Sequence, residues 1–251
     1  MIDTIIFDMG GTLEDIWNNQ ETAAVAGLTT REILAEHGLV TDLSQEEFWS
    51  RIDSGMTKYK RWSEVHELEL KPEFIWGNYV LKDFHFDETV VHDIAETLAD
   101  NWEVTYYHRE LRPHVQETLA VLQARGYRTS VISNTASLYS VFNVLNEYGI
   151  RSFFEDITLS SITGYRKPNQ AIFEISLRQL RCEPPQCAYV GDTISRDIIG
   201  AHRAGFGKTI QILSHLTTEK DSDVAAEIRP NHRIKQIDEL LTIFPSLRSG
   251  K

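Results

Sequence analysis

Sulfur chemistry has little to work with in this chain. Two cysteines, Cys182 and Cys187, stand among 251 residues, separated by Glu183-Pro184-Pro185-Gln186. So low a count argues against a disulfide scaffold and for two reduced thiols in a cytoplasmic protein. No apolar run approaches the ~20 residues that a membrane span needs, so no membrane partner is expected. Met1-Ile2-Asp3 lacks a basic stretch followed by an apolar one, and no signal peptide is expected either. Positive charge is also short. With 25 Lys and Arg against 37 Asp and Glu the net charge is −12, which speaks against nucleic acid or anionic lipid as a partner.

The deficit of positive charge is not spread evenly. Glu14 to His108 holds 20 acidic and 7 basic residues, a balance of −13, whereas the remainder holds 17 acidic and 18 basic. All five tryptophans (Trp17, Trp49, Trp62, Trp76, Trp102) lie in the acidic stretch. A shift in both charge and aromatic content marks two compositional units, read here as two domains.

Thr4 to Phe7 is a short β-branched and aromatic run, the pattern of a strand buried on both faces. It ends in Asp8-Met9-Gly10-Gly11-Thr12-Leu13. Helical spacing then takes over. Glu21–His37 is one amphipathic helix, stopped by Gly38. Ser44 with Glu47 forms a capping-box pattern for a second helix, Pro72 starts a third, and Asp87 caps a fourth. No alternating pattern of strand length appears between 20 and 105. After Arg112 strands and helices alternate. Expected strands are Arg128–Asn134, Ile157–Ser160, Cys187–Asp192 and Thr209–Leu213. Expected helices start at Pro113, Leu138, Pro168 and Asp197, with a closing helix over Ile234–Phe244. This alternation predicts an α/β fold with a doubly wound parallel sheet. Its first strand precedes the helical unit and the others follow it. The helical unit (15–108) is therefore an insertion into a core built from 1–14 and 109–251.

Four points fall at carboxyl ends of strands or at beginnings of helices: Asp8, Ser133-Asn134, Lys167, and Asp192 with Asp197. Each alone has an ordinary explanation as a cap, a turn or a solvated side chain. Together they resemble the haloacid dehalogenase superfamily, most of whose members are Mg²⁺-dependent phosphohydrolases. The resemblance rests on Asp8-Met9-Gly10-Gly11-Thr12, on Val131-Ile132-Ser133-Asn134, on Lys167-Pro168, and on Gly191-Asp192-Thr193-Ile194-Ser195-Arg196-Asp197 followed by Gly200-Ala201. The four motifs occur in the family's order along the whole chain. The insertion matches the family's all-helical cap, and the core its Rossmann-like sheet.

The resemblance implies an enzyme, a cytoplasmic phosphatase of small phosphorylated metabolites with Mg²⁺ as cofactor. Asp8 is the implied nucleophile. Asp8, the Gly10 carbonyl and Asp192 are implied metal ligands, with Asp197 orienting them. Lys167 bridges nucleophile and phosphate, and Ser133 and Asn134 bind phosphate. These residue types suit the chemistry, because phosphoryl transfer is mostly positioning and charge neutralisation, and Mg²⁺ prefers carboxylate and carbonyl oxygen.

One position departs from the family pattern. The usual acid–base aspartate, two residues after the nucleophile, is Gly10. Glu14, Asp15, His66 and His85 are the possible replacements. The departure keeps two alternatives open: a C–P or C–halogen hydrolase of the same superfamily, with Lys58 or Lys60 as a Schiff-base lysine for C–P cleavage, and a non-catalytic Mg²⁺- and phosphate-binding regulator. The cap's tryptophans call for burial, either within the cap or against a second copy in a homodimer.

Overall fold

The computed structural model describes residues 1–215, 217, 221 and 228–247. Its frame is a six-stranded parallel sheet in the order β5-β4-β1-β6-β7-β8. In chain order these strands are β1 (Thr4–Phe7), β4 (Arg128–Ser133), β5 (Asp156–Leu159), β6 (Cys187–Gly191), β7 (Lys208–Ile212) and β8 (His232–Ile234). β1 lies between β4 and β6, with Phe7 opposite both Val131 and Val190. A central parallel strand has helices on both faces, which is why all four of its residues are buried. Ile5 and Phe7 pack on one face with Leu119, Val144 and Phe244. Ile6 packs on the other with Phe173, Tyr189 and Ala201.

Between β1 and β4 the chain leaves the sheet. Helices α1 (Gln20–Glu36), α2 (Gln45–His66), α3 (Pro72–Ile75) and α4 (Glu88–Thr105) enclose a separate apolar core that includes Phe48, Ile52, Trp76 and Trp102. The expected caps are in place. The Ser44 hydroxyl accepts from Glu47 N while Glu47 answers to the Ser44 backbone, and Asp87 caps α4. Of the tryptophans, Trp49, Trp76 and Trp102 pack together inside this unit, with Trp49 stacked on Trp102 at 5.8 Å.

Three local expectations are corrected. Helical spacing does not take over directly after Leu13: β2 (Glu14–Trp17) and β3 (His108–Leu111) first pair as an antiparallel hairpin, Glu14 opposite Leu111 and Trp17 opposite His108. Pro168 does not open a helix, because Asn169 caps α8 (Gln170–Leu180) by accepting from Ala171 N. Ile234 ends the edge strand β8 rather than starting a helix, which begins only at Leu240. Its side chain is buried against the sheet, and strand pairing with β7 satisfies backbone that a helix would have satisfied internally.

Acidic side chains seat the helical unit on the carboxyl edge of the sheet. Glu69 accepts from Tyr59, Ser160 and Arg166. Glu96 accepts from the Ser137 hydroxyl and from the backbone of Leu138 and Tyr139. Glu103 accepts from Thr135, Ala136 N and Arg109. Backbone bonds from Glu69 to Gly164 and from Arg166 to Glu67 complete the seam.

Candidate active site

β1 ends in Asp8 and β6 in Gly191-Asp192, so two carboxylates arise side by side from adjacent parallel strands. The turn after Asp8 has Gly11 at φ +85°, and a Cβ there would lie 2.4 Å from Asp192 Oδ2. Only glycine lets the loop come that close. Gly191 is similarly constrained, since a Cβ would meet Asp197 Cβ at 2.4 Å. Asp8, Asp192 and Asp197 each offer an oxygen within 4.8 Å of the others.

Lys167 enters from the loop before α8. Its Nζ donates to Asp8 Oδ1 (2.5 Å), Asp197 Oδ1 (2.7 Å) and Tyr189 Oη (3.2 Å). Its backbone is gripped at both ends by Asn134, whose carboxamide accepts from Lys167 N (2.8 Å) and donates to Lys167 O (3.1 Å). The Asn134 side chain thus positions Lys167. Ser133, at the end of β4, lines the same cavity as Asp8, and its side chain makes no hydrogen bond among the described residues.

Charge in this floor does not balance. Three buried carboxylates face one buried ammonium, with the Arg196 guanidinium near enough to act on all three, so negative charge still outnumbers positive. Burial, followed by the charges of Asp197 and Asp8, pushes Asp192 up to about 7. Asp197 behaves oppositely. Burial raises it too, but Lys167 and Arg196 outweigh that and hold it down at about 2, with Thr193 donating through both N and Oγ1. Asp192 Oδ2 accepts from Ser214 (2.6 Å), while its Oδ1 is buried with no hydrogen-bond partner among the described residues. An orphaned buried carboxylate oxygen beside two more carboxylates is the donor set of a hard divalent cation.

Above the floor is a cavity of about 400 Å³ between the sheet edge and the helical unit. Trp17, Trp76, Trp102, Tyr106 and Tyr107 give it aromatic walls, and Arg109, Arg166 and Arg196 reach it as well. Among the proposed replacements for the missing acid, only Glu14 lines it. Its carboxylate is committed, accepting from Arg109 (2.5 Å) and Tyr148 (2.9 Å). Asp15 pairs with Arg112 at 2.8 Å. His66 stacks on Trp62, and His85 sits in a left-handed turn, both outside the cavity lining. Position 10 itself has room, since a Cβ would meet Ile16 at 3.4 Å and Glu14 Oε1 at 3.9 Å, both ordinary contacts. The three arginines and Tyr107 were not anticipated from sequence. Their only signal is adjacency, Arg166 preceding Lys167 and Arg196 preceding Asp197.

A hydrolase fold with carboxylates at two strand ends and a lysine between them defines a class, and comparison with known proteins agrees. The haloacid dehalogenase-like hydrolase family matches residues 2–205, and the chain belongs to it. The glyceraldehyde 3-phosphate phosphatase of Methanothermobacter thermautotrophicus is 29% identical over 96% of this chain and 100% of its own length. Among solved structures, a haloacid dehalogenase-type phosphatase from Thermococcus onnurineus superposes with a TM-score of 0.65 at 19% identity, over 99% of this chain and 100% of that one. A 2-haloacid dehalogenase from Pseudomonas syringae pv. Tomato DC3000 does so with 0.66 at 21% identity, over 97% and 98%. Likeness at this level establishes the fold and leaves the reaction to the site.

Proposed function

We propose that this chain is a Mg²⁺-dependent phosphatase of small phosphorylated metabolites in the cytoplasm, with residues 15–108 as a cap over the core. The carrying observation is the floor: three clustered buried carboxylates, an Asp192 oxygen without a partner among the described residues and a lysine bridging Asp8 and Asp197. A dehalogenase has no dianionic substrate to neutralise and no use for such a cation site. The phosphatase names of full-length relatives point the same way.

Asp8 and Asp192, with the Gly10 carbonyl, would hold the ion, and Asp197 would orient them. When bound, the ion supplies positive charge beside the phosphate. Lys167 adds a second, fixed positive charge and keeps Asp8 pointed at phosphorus. Ser133 donates its hydroxyl to a phosphate oxygen. An Asp8 oxygen attacks phosphorus, the P–O bond to the organic group breaks, and the leaving oxygen keeps the electron pair. Water then attacks phosphorus of the aspartyl-phosphate, releasing inorganic phosphate and restoring Asp8.

With glycine at position 10 and Glu14 held by Arg109, the acid of the family pattern is missing, and Asp53 and Tyr107 are among the other proton-bearing groups on the cavity wall. Esters of acidic alcohols, such as aryl phosphates, should therefore react better than simple alkyl phosphates, and the phosphoenzyme should accumulate. The test is a panel of phosphorylated metabolites and substituted aryl phosphates, assayed with Mg²⁺ and with chelator. Turnover that needs Mg²⁺ and Asp8 supports the reading, and Mg²⁺-independent release of halide from haloacids overturns it. Lys60 also lines the cavity, so borohydride trapping with a carbonyl phosphonate checks the C–P alternative.

A further inference from the structure

The phosphate floor leaves part of the cavity's positive charge unused. Arg109 is spent, bracketed by Glu14 and Glu103. Arg166 and Arg196 are different. One nitrogen of Arg166 is tied to Glu69, a carboxylate itself clamped by Tyr59 and Ser160. That grip fixes the guanidinium, whose other N–H groups have no hydrogen-bond partner among the described residues. Arg196 makes a single 3.4 Å contact to Thr193 Oγ1 and no ion pair among the described residues. It stands close enough to the floor to pull on Asp8, Asp192 and Asp197.

Tyr107, on the exit from α4, lines the same cavity. Its hydroxyl has no hydrogen-bond partner among the described residues. Burial pushes it up to about 12, so it stays a neutral donor, and it lies within electrostatic reach of Arg166 and Arg196. Two guanidinium edges and a phenol hydroxyl form a patch of donors without an acceptor. The three groups are half-buried beside aromatic walls, so the charges are less screened than at the surface and costly to leave unpaired.

We propose that Arg166, Arg196 and Tyr107 form a second anion subsite, and that the preferred substrates are phosphate monoesters bearing a second oxyanion, a carboxylate or a further phosphate, on the organic group. Planar guanidinium forks match either oxyanion in bidentate fashion. A neutral organic group would leave the patch unpaired, which makes it a discriminating element as well as a binding one. This deepens the phosphatase reading and rests on it.

The experiment compares three homologous series with Mg²⁺ present: carboxyalkyl phosphates, alkanediol bisphosphates and neutral hydroxyalkyl phosphates of the same chain lengths. Turnover is measured as kcat/KM, and binding to Asp8→Asn is followed by tryptophan fluorescence, since Trp17 and Trp102 line the cavity. An anionic series should be favoured over the neutral one by tenfold or more at one chain length or more. Its carboxylate and phosphate arms show which oxyanion is preferred. Arg196→Gln and Tyr107→Phe should each cut that ratio at least fivefold. Equal kcat/KM across the three series would overturn the proposal. So would an Arg196→Gln loss that is equal in all series and matched by weaker competition from inorganic phosphate, because Arg196 would then belong to the first phosphate. If nothing is turned over but the anionic series binds more tightly, the phosphatase reading fails and the second subsite stands. Equal binding without turnover removes both.

Discussion

Two sets of carboxylates, one buried or half-buried at the seam and one fully buried in the floor, are treated in opposite ways. At the seam, Glu69, Glu96 and Glu103 come from the helical unit, and each meets donors offered by the sheet's loops or their neighbours. In the floor, Asp8, Asp192 and Asp197 meet mainly each other, with one lysine among them. Buried charge is tolerated when it is paired and hydrogen-bonded. The seam's carboxylates and Asp197 meet that condition, whereas Asp192 keeps one oxygen with no hydrogen-bond partner among the described residues. The same four-residue spacer that separates Asp192 from Asp197 puts one carboxyl at about 7 and the other at about 2. Proximity to Lys167, and not sequence spacing, makes that difference.

The sharpest way to separate the two sets is to remove one carboxylate from each. Asp8→Asn should lower turnover by at least about 10³-fold while leaving the melting temperature unchanged or higher, because it removes excess negative charge. Larger residual activity would mean another nucleophile. Glu69→Ala should do the reverse, costing about 3–5 kcal/mol in denaturant unfolding because Arg166 loses its buried partner. A loss under about 1 kcal/mol would put the seam's carboxylates in the same class as surface pairs.

Metal addition probes the floor alone. Without a cation the raised Asp192 favours its protonated form, so its contribution to stability is full at low pH and is lost as pH rises from about 4 through about 7. Mg²⁺ would bind the ionised form. Its stabilisation, about 2.7 kcal/mol at a hundredfold excess over Kd, should be complete above pH 7 and small near pH 5 in thermal scans. A Mg²⁺ effect that grows as pH falls would contradict the assignment. Smallest is Gly10→Asp, for which the Cβ has room. It should raise turnover of alkyl phosphates about tenfold and flatten the dependence on leaving-group acidity. An unchanged dependence would show that the proton already comes from elsewhere.

Much of the fold was legible because its signals are local. The buried run Ile5-Ile6-Phe7, the capping box at Ser44 and the small residues after Asp197 each carry their structure within a few neighbours. The floor was legible for the same reason, since strand ends place Asp8 and Asp192 wherever parallel strands adjoin. The seam was not. Glu69, Glu96 and Glu103 carry no local signal of burial, and most of their partners come only from the docking of one unit on another. The β2–β3 hairpin was hidden by its length, four residues a side with a mixed burial pattern. Asn134 was expected at the phosphate, yet its carboxamide is taken up by the Lys167 backbone, a contact between loops 33 residues apart.

That hairpin has a topological consequence. Because Trp17 and His108 face each other across it, everything between them begins and ends at one point on the molecule. The segment is a pendant on a closed clasp: it can grow, shrink or be exchanged for another sequence without shifting the register of a single strand in the sheet. Changes inside that segment are therefore decoupled from strand register and felt in the core only through the seam, where Glu69 and Glu103 hold Arg166 and Arg109.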